Sequence, residues 1–405
     1  MMKKIFYGWW IVLACSLICL YGGGIVFFGF TAFFDPIREE FGWSYTQISL
    51  AASLRGLEAG VFAPLIGFLV DRFGPRKLML WGTIIVGFGL ILLSLTQSLA
   101  IFYASVMLIG FGAGGCTVVV GMTAIANWFH RKIGLALGVM GSGIGAGGLM
   151  VLLIVGLIDL YQWRCTLIIL GLGMWALGIP LSLVVRNRPE DFDYLPKFEI
   201  SSPRFLHHEI PDKEGEISFK AALKMRSFLY MNIAEFIRMM AIIAVVTHVM
   251  PYLTNVGMTR HTAGLIAGAF PLIGIIGRFG IGWLGDVFDT KYVMAMATGL
   301  ISLGLLAFSY MHARWAILPF LVLLPIGHGG NAVLRGSILR EYFGRGSFGK
   351  MIGIIMGSGA LGEIIGPTIA GWVFDTVGSY QLIWLFFCGT TGLATVLILR
   401  IKQST

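Results

Sequence analysis

The sequence of 405 residues predicts an all-α membrane protein of twelve transmembrane helices, arranged as two six-helix parallel repeats. Three observations predict it. Hydrophobic residues make up 57% of the chain and charged residues only 12%, with a mean hydropathy of +0.86, which is too apolar for a chain dissolved in water. Twelve apolar stretches alternate with polar or charged breaks, and each approaches the roughly 20 residues that a hydrocarbon core of about 30 Å requires. Landmarks of the first half recur in the second at an offset of about 215 residues, as an internal duplication would leave them.

The first stretch, 9 to 34, follows Lys3 and Lys4 in the manner of a signal peptide. It is of spanning length and has no small-residue cleavage site, so it is expected to stay as the first helix. The second, 47 to 70, starts at a capping box formed by Ser44 and Gln47. The third to sixth cover 78 to 97, 99 to 126, 133 to 157 and 166 to 186. A polar segment with Pro189, Pro196, Pro203 and Pro211 then divides an N-terminal bundle, residues 1–186, from a C-terminal bundle, residues 227–405. Residues 187–226 are expected to be the linker that lets the bundles rock. The remaining stretches cover 227 to 254, 261 to 285, 291 to 310, 315 to 339, 349 to 374 and 380 to 400, with Thr259 opening the eighth as Ser44 opens the second.

The duplication rests on five pairings in sequence order. Gly42-Trp43-Ser44 matches Gly257-Met258-Thr259, Gly67 and Asp71 match Gly282 and Asp286, and Gly114-Gly115 matches Gly329-Gly330. Gly141-Ser142-Gly143 matches Gly357-Ser358-Gly359, and Asp159 matches Asp375. Six helices per half preserve topology, so the repeats are related by an axis along the membrane normal and their interface is the natural solute path.

A formal charge of +9 could suggest nucleic acid, but its placement points to a bilayer. With both termini cytoplasmic, 21 of the 29 basic residues fall in cytoplasmic segments, including Arg72, Arg76, Lys77, Arg131, Lys132 and the cluster from Arg186 to Arg226. The outer loops hold only Arg38, Arg164, Arg260 and Arg314. That asymmetry predicts a multi-pass protein of the inner cell membrane with no nucleic-acid partner. Cys15, Cys19, Cys116, Cys165 and Cys388 lie in or at the ends of apolar helices without metal-ligand spacing, and are expected to pack as small hydrophobes. The run Gly141, Gly143, Gly145, Gly147, Gly148 contains a superficial dinucleotide fingerprint with no strand before it, and reads instead as a helix-packing surface.

Ionisable groups inside the membrane cost several kcal/mol each, about 2.5 upward, unless paired or hydrated, and so mark function. Arg55 and Glu58 in the second helix, Glu235 and Arg238 in the seventh, Arg278 in the eighth and Glu363 in the eleventh qualify. Each of the first two pairs is spaced i to i+3 and can partly neutralise itself, which suits inter-helix locking as well as solute contact. Arg335 is near enough to a helix end to snorkel and is left out of the site. Arg278 has Gly274, Ile275, Ile281 and Gly282 at i±3 and i±4, so it needs an anion from elsewhere: a solute carboxylate held by two parallel hydrogen bonds, or a partner such as Glu363. His248 and His328 are candidates for proton handling or solute contact, with hydrogen bonding to backbone carbonyls as the alternative for His248.

The motif Gly67-x-x-x-Asp71-Arg72-x-Gly74-Pro75-Arg76-Lys77, echoed by Gly282-x-x-x-Asp286 with Asp289 and Lys291, resembles the cytoplasmic signature of the major facilitator superfamily. The resemblance implies the major facilitator fold. It also implies a gating role for Gly67, Asp71, Arg72, Arg76 and Asp286, with the glycine allowing close helix packing. Gly8-Trp9, the segment Trp128-Phe129-x-Arg131-Lys132-x-x-Leu135-Ala136-x-Gly138, and Trp163-Arg164 make the whole chain similar to the monocarboxylate transporter family and its bacterial relatives. In that family an arginine at the spacing of Arg278, four residues before Gly282 and eight before Asp286, engages substrate. The lysine that many animal members place late in the first helix falls near Phe28, and the aspartate one turn before the arginine falls at Gly274. The usual proton-coupling pair is therefore missing, and coupling falls to Glu58, Glu235, Glu363, His248 or His328.

The expected function is secondary active transport of a small organic anion by alternating access, as proton-coupled symport of a monocarboxylate such as lactate or pyruvate. Arg278, His328, Arg55, Arg238 and His248 are the expected substrate-binding residues. The alternative is an organic-anion exchanger of the oxalate/formate type. Those exchangers use a lysine in the eleventh helix, where this chain carries Glu363. No nucleophile with a base and no metal cluster points to an enzyme, and no signalling domain points to a sensor. A monomer without cofactor or metal is expected, with a small carboxylate, protons and the lipid bilayer as its partners.

Overall fold

The computed structural model describes residues 6–57, 63–129, 133–187, 223–343 and 348–401, over which the chain is helical and contains no strand. Most of the expected linker lies outside these residues, as do Lys3, Lys4, Glu58, Arg131 and Lys132. Arg55 and Asp71 lie in helices, with their side chains outside the description.

Helix α1 spans Gly8–Phe41, and α2 spans Tyr45–Leu57 and Ala63–Phe73. Helix α3 is Pro75–Ser94 and α4 is Leu99–Trp128. Helices α5 and α6 share Ile133–Ala146 and Leu149–Val184, bent at Gln162, whose φ of 65° breaks the helical path; α5 runs to 161 and α6 from 163. The second half comprises α7 (Arg226–Asn255), α8 (Arg260–Val287), α9 (Thr290–Ser309), α10 (Ile317–Phe343), α11 (Phe348–Val377) and α12 (Gln381–Leu399). Among the described residues, ten helices are long and apolar enough to cross a membrane. The difference from twelve has two sources. Residues 58–62, between the two pieces of α2, lie outside the described residues, and the α5–α6 rod counts once although its 49 residues would extend about 73 Å, more than twice the hydrocarbon thickness.

Local chemistry sets the helix starts. The Ser44 amide donates to Gln47 Oε1 at 2.9 Å while the Gln47 amide donates to Ser44 Oγ at 3.2 Å, the reciprocal pair that the sequence predicts. Thr259 caps α8 through the Thr262 amide at 3.2 Å. Large apolar side chains such as Leu160, Phe279, Trp283 and Leu318 face outward, as a lipid-embedded surface allows and an aqueous one does not. The glycine run acts as a packing surface: a Cβ at Gly148 would meet the Gly268 carbonyl and Pro271, so α5 and α8 approach backbone to backbone. Cys15, Cys19 and Cys116 are buried and unpaired, whereas Cys165 is exposed.

The halves repeat one packing scheme. Helix α1 packs on α5 as α7 packs on α11, and α3 packs on α4 and α6 as α9 packs on α10 and α12. Between halves, α2 meets α11 and α5 meets α8. At one end this contact is tight. Asp375 at the end of α11 accepts from the Tyr45 amide at 3.1 Å, the Thr46 amide at 2.8 Å and the Thr46 hydroxyl at 2.5 Å, so it caps the start of a helix in the other half. Thr254 donates to Asp35 at 3.0 Å, and Arg260 donates to the Ala32 carbonyl at 2.7 Å while lying 3.6 Å from Asp159. Deeper in, Ser53 and Thr368 hydroxyls meet at 2.8 Å, and Arg278 reaches the Gly141 carbonyl at 3.0 Å. Beyond Arg278, towards the end that carries Asp286, no hydrogen bond or ion pair joins the halves among the described residues.

The motif at that end looks different from its expected packing role. Gly67 has no atom within 4 Å of where a Cβ would stand, so it faces open space in this conformation. Arg72 is exposed over Phe73, and Asp286 is exposed. The Arg76 amide donates to Asn187 at 3.1 Å within its own half.

Candidate functional site

A cavity of about 250 Å³ lies between the halves where their contact ends. Both bundles line it: Phe27, Phe28 and Ile144 from the first, and Met239, Phe270 and Gly274 among others from the second. Its charged and titratable lining groups among the described residues are Arg278, His328 and Glu363. The sequence predicts helical α1 here, but the chain makes a π-helical turn over Gly24–Phe28 followed by a 3-10 turn over Gly29–Phe33. Such turns inside helices concentrate at functional sites, and this one turns Phe27 and Phe28 to the cavity wall together.

Arg278 meets the requirement that its sequence neighbours set. Its Nη1 donates to the Gly141 carbonyl, and no ion pair joins it to a carboxylate among the described residues. The salt bridge to Glu363 left open as an alternative is not among the ion pairs found, although both residues border the cavity. A guanidinium has five N–H donors and no acceptor, so most of its donors remain for a ligand. Phe28 and Gly274, the positions at which the resemblance implies a lysine and an aspartate, line the same cavity, whose carboxylate among the described residues is Glu363.

Beside the cavity stands a cluster that the sequence shows only in part. Glu235, with a side chain 3% exposed, accepts from Arg238 at 2.7 and 3.0 Å and from Arg335 at 2.6 Å. The i to i+3 pair is thus present, but two expectations change. Arg335 does not snorkel away: it turns inward and donates to Glu235 Oε1, the oxygen that Arg238 Nη2 also binds. Arg238, expected to touch substrate, is buried against Glu235 and reaches His328 Nδ1 at 3.1 Å without lining the cavity. Glu235 would have to break three hydrogen bonds before exchanging a proton. Arg335 could have been found from its side of α10, since it lies seven residues, almost two full turns, past His328.

His248 is corrected more strongly. It is fully buried away from the cavity, where its Nε2 lies 2.9 Å from both the Pro367 carbonyl and Ser49 Oγ, and its Nδ1 lies 3.0 Å from the Tyr380 hydroxyl. A carbonyl only accepts, so Nε2 carries the proton and Nδ1 accepts from Tyr380. His248 is a cross-brace among α2, α7, α11 and α12, as the backbone-bonding alternative supposed. The three segments that carried the family resemblance also serve packing. Trp9 meets Phe129 edge-on with ring centroids at 5.3 Å, and Trp128 donates to the Arg186 carbonyl at 2.9 Å. Trp163 and Arg164 both bind Glu40, at 2.7 Å for each nearest contact.

Two similar helical bundles that enclose a cavity with ionisable walls, tight at one end and parted at the other, define a membrane transporter. The chain belongs to the Major Facilitator Superfamily, whose family model matches residues 13–259 and 231–404. It is similar to the rat protein named monocarboxylate transporter 12, with 25% identity over 95% of this chain and 82% of the relative. It is also similar to a Bacillus subtilis protein named uncharacterized MFS-type transporter YcxA, with 24% identity over 96% and 94% of the two chains. Among solved structures, a bacterial homolog of the human lysosomal transporter Spinster, in an inward-facing and unoccupied conformation, superposes with a TM-score of 0.72 at 15% identity, covering 98% of this chain and 95% of that one. That likeness shows the fold. The chain is a multi-pass transporter and not an enzyme.

Proposed function

We propose that the chain moves a small organic monocarboxylate together with a proton by alternating access, as a monomer in the inner cell membrane with both termini cytoplasmic. The observation that carries this reading is Arg278: a permanent cation on the cavity wall, held by a backbone carbonyl and by no carboxylate among the described residues. The relatives named monocarboxylate transporters support the solute class. In the proposed orientation the Asp375 end is outer and closed, so this conformation is inward-facing, the state named for the Spinster homolog.

Bundles 1–186 and 227–405 rock about the cavity through linker 187–226, with the Gly67–Lys77 motif and Asp286 closing the inner end in the opposite state. Arg278 grips the carboxylate. Glu363, on the cavity wall, takes the proton; Glu235 is buried in its ion pairs with two arginines and His248 is sealed away from the cavity. One anion with one proton then crosses without net charge. A dianion exchanger fits less well, since a second carboxylate would meet Glu363.

Proteoliposomes test this with labelled pyruvate and lactate under an imposed proton gradient. The intact protein is expected to accumulate label against its gradient. Arg278→Ala should lose uptake at least tenfold, since hydrogen bonds to a charged group contribute about 1.5–3 kcal/mol each. Glu363→Gln should keep counterflow and lose the response to the proton gradient. Unchanged uptake in Arg278→Ala, or uptake indifferent to pH in the intact protein, contradicts the proposal.

A further inference from the structure

The Arg238–His328 contact fixes more than a distance. A guanidinium has no acceptor, so at 3.1 Å the Nδ1 of His328 must offer its lone pair to Arg238 Nη1. Arg238 is not free to turn away, because its Nε and Nη2 are both bound to Glu235, and Arg335 also holds Glu235 through Oε1. The imidazole also lies over the Phe270 ring, with centroids 6.4 Å apart and planes 30° from parallel. Its remaining nitrogen, Nε2, is on the opposite edge of the ring, has no hydrogen-bond partner among the described residues, and belongs to a residue on the cavity wall.

We infer that Arg238 is a positioning residue that holds His328 as a neutral imidazole protonated on Nε2, so that His328 offers the solute a hydrogen-bond donor and does not carry the transported proton. A second proton on Nδ1 would set N–H against N–H. The charged and titratable groups around the ring are Arg238 and Glu235 on α7, Arg335 on its own helix and Arg278 on α8, with Glu363 of α11 in the lining of the same cavity. Three cations against two carboxylates leave no local demand for another positive charge. This reverses the proton-handling role that a mid-membrane histidine suggests by itself. Resting on the cavity as the solute site, it also gives that site a second donor beside Arg278, suited to a further acceptor atom on the anion.

The test is nitrogen NMR of the full chain in lipid nanodiscs, labelled with ¹⁵N-histidine, the His328 signals being assigned among seven histidines by their absence in His328→Gln. The expected spectrum shows protonated Nε2 and unprotonated Nδ1 throughout the range of about pH 5 to 8 in which an ordinary histidine titrates. Arg238→Lys, which keeps a donor, should preserve that state, and Arg238→Leu should release the ring to titrate or to mix tautomers. A proton on Nδ1, or titration of His328 within that range in the intact protein, overturns the inference, and this spectrum decides even where Arg238→Leu does not fold. Pyruvate uptake supplies a second readout. His328→Ala should raise KM roughly three- to tenfold, the value of one hydrogen bond, while the pH profile keeps its midpoint. A shifted or flattened profile overturns it. The spectrum needs no solute, so its failure is distinguishable from failure of the transport reading.

Discussion

At the scale of single residues, the sequence isolates Arg278 by subtraction: no acid stands near it on its own helix, so its partner has to come from elsewhere. The structure supplies the Gly141 carbonyl and a cavity. The same reasoning mislocates Arg335, because helix periodicity places a residue on a face but does not show which side chain of another helix that face meets. Glu235 is the meeting point, paired with both Arg238 and Arg335. Removing its charge leaves two guanidiniums facing each other without an anion. Breaking a buried ion pair in this way costs about 3–5 kcal/mol. Glu235→Gln should therefore lower the thermal midpoint of the detergent-solubilised protein by several degrees, read by intrinsic fluorescence, and a midpoint unchanged within error would show that the cluster contributes no stability.

At the scale of elements, the helix starts and the apolar stretches were legible because they depend on neighbours in sequence. The capping box at Ser44 and the cap at Thr259 formed as their residue types require. The π-helical turn of α1 was not legible: it depends on the close approach of Gly24 to the Gly147 backbone, a contact between distant segments. The Asp375 latch lies between these cases. Its pairing with Asp159 across the duplication is visible in the sequence, but the helix start it caps belongs to the other half. Magnitudes separate the two aspartates. Asp375 accepts two amides at the N-terminus of α2, where a capping carboxylate contributes about 0.5–2 kcal/mol, whereas Asp159 and Arg260 are half-exposed and 3.6 Å apart, a geometry that contributes little. Asp375→Asn should therefore shift the population towards opening at that end by roughly fivefold, and Asp159→Asn should shift it much less. Spin labels at Gln97 and His312, both exposed at that end of opposite halves, would report it as a gain in long distances. Equal shifts in the two variants would refute this ranking.

For the whole molecule, the duplication made two bundles and a central path readable, since repeats conserve spacing whatever their partners. What the sequence could not contain is the state. A transporter needs two conformations of similar free energy, and one string of residues encodes both; only the structure shows the Asp375 end bonded and the halves unjoined beyond Arg278. The departures at Phe28 and Gly274 acquire meaning only at this scale, because both fall on the wall of the cavity that Arg278 and Glu363 also line.

Binding of a small carboxylate in the cavity through Arg278, as proposed, is tested by thermal stabilisation of the purified protein with a panel of mono-, di- and tricarboxylates, sugars and cations at two pH values. A ligand at a hundred times its dissociation constant stabilises by about 2.7 kcal/mol, enough to raise the thermal midpoint visibly. Short monocarboxylates should stabilise the protein, more strongly at the lower pH, and the effect should be lost in Arg278→Ala. Stabilisation by sugars or cations alone, or by a monocarboxylate with equal strength in Arg278→Ala, would contradict it.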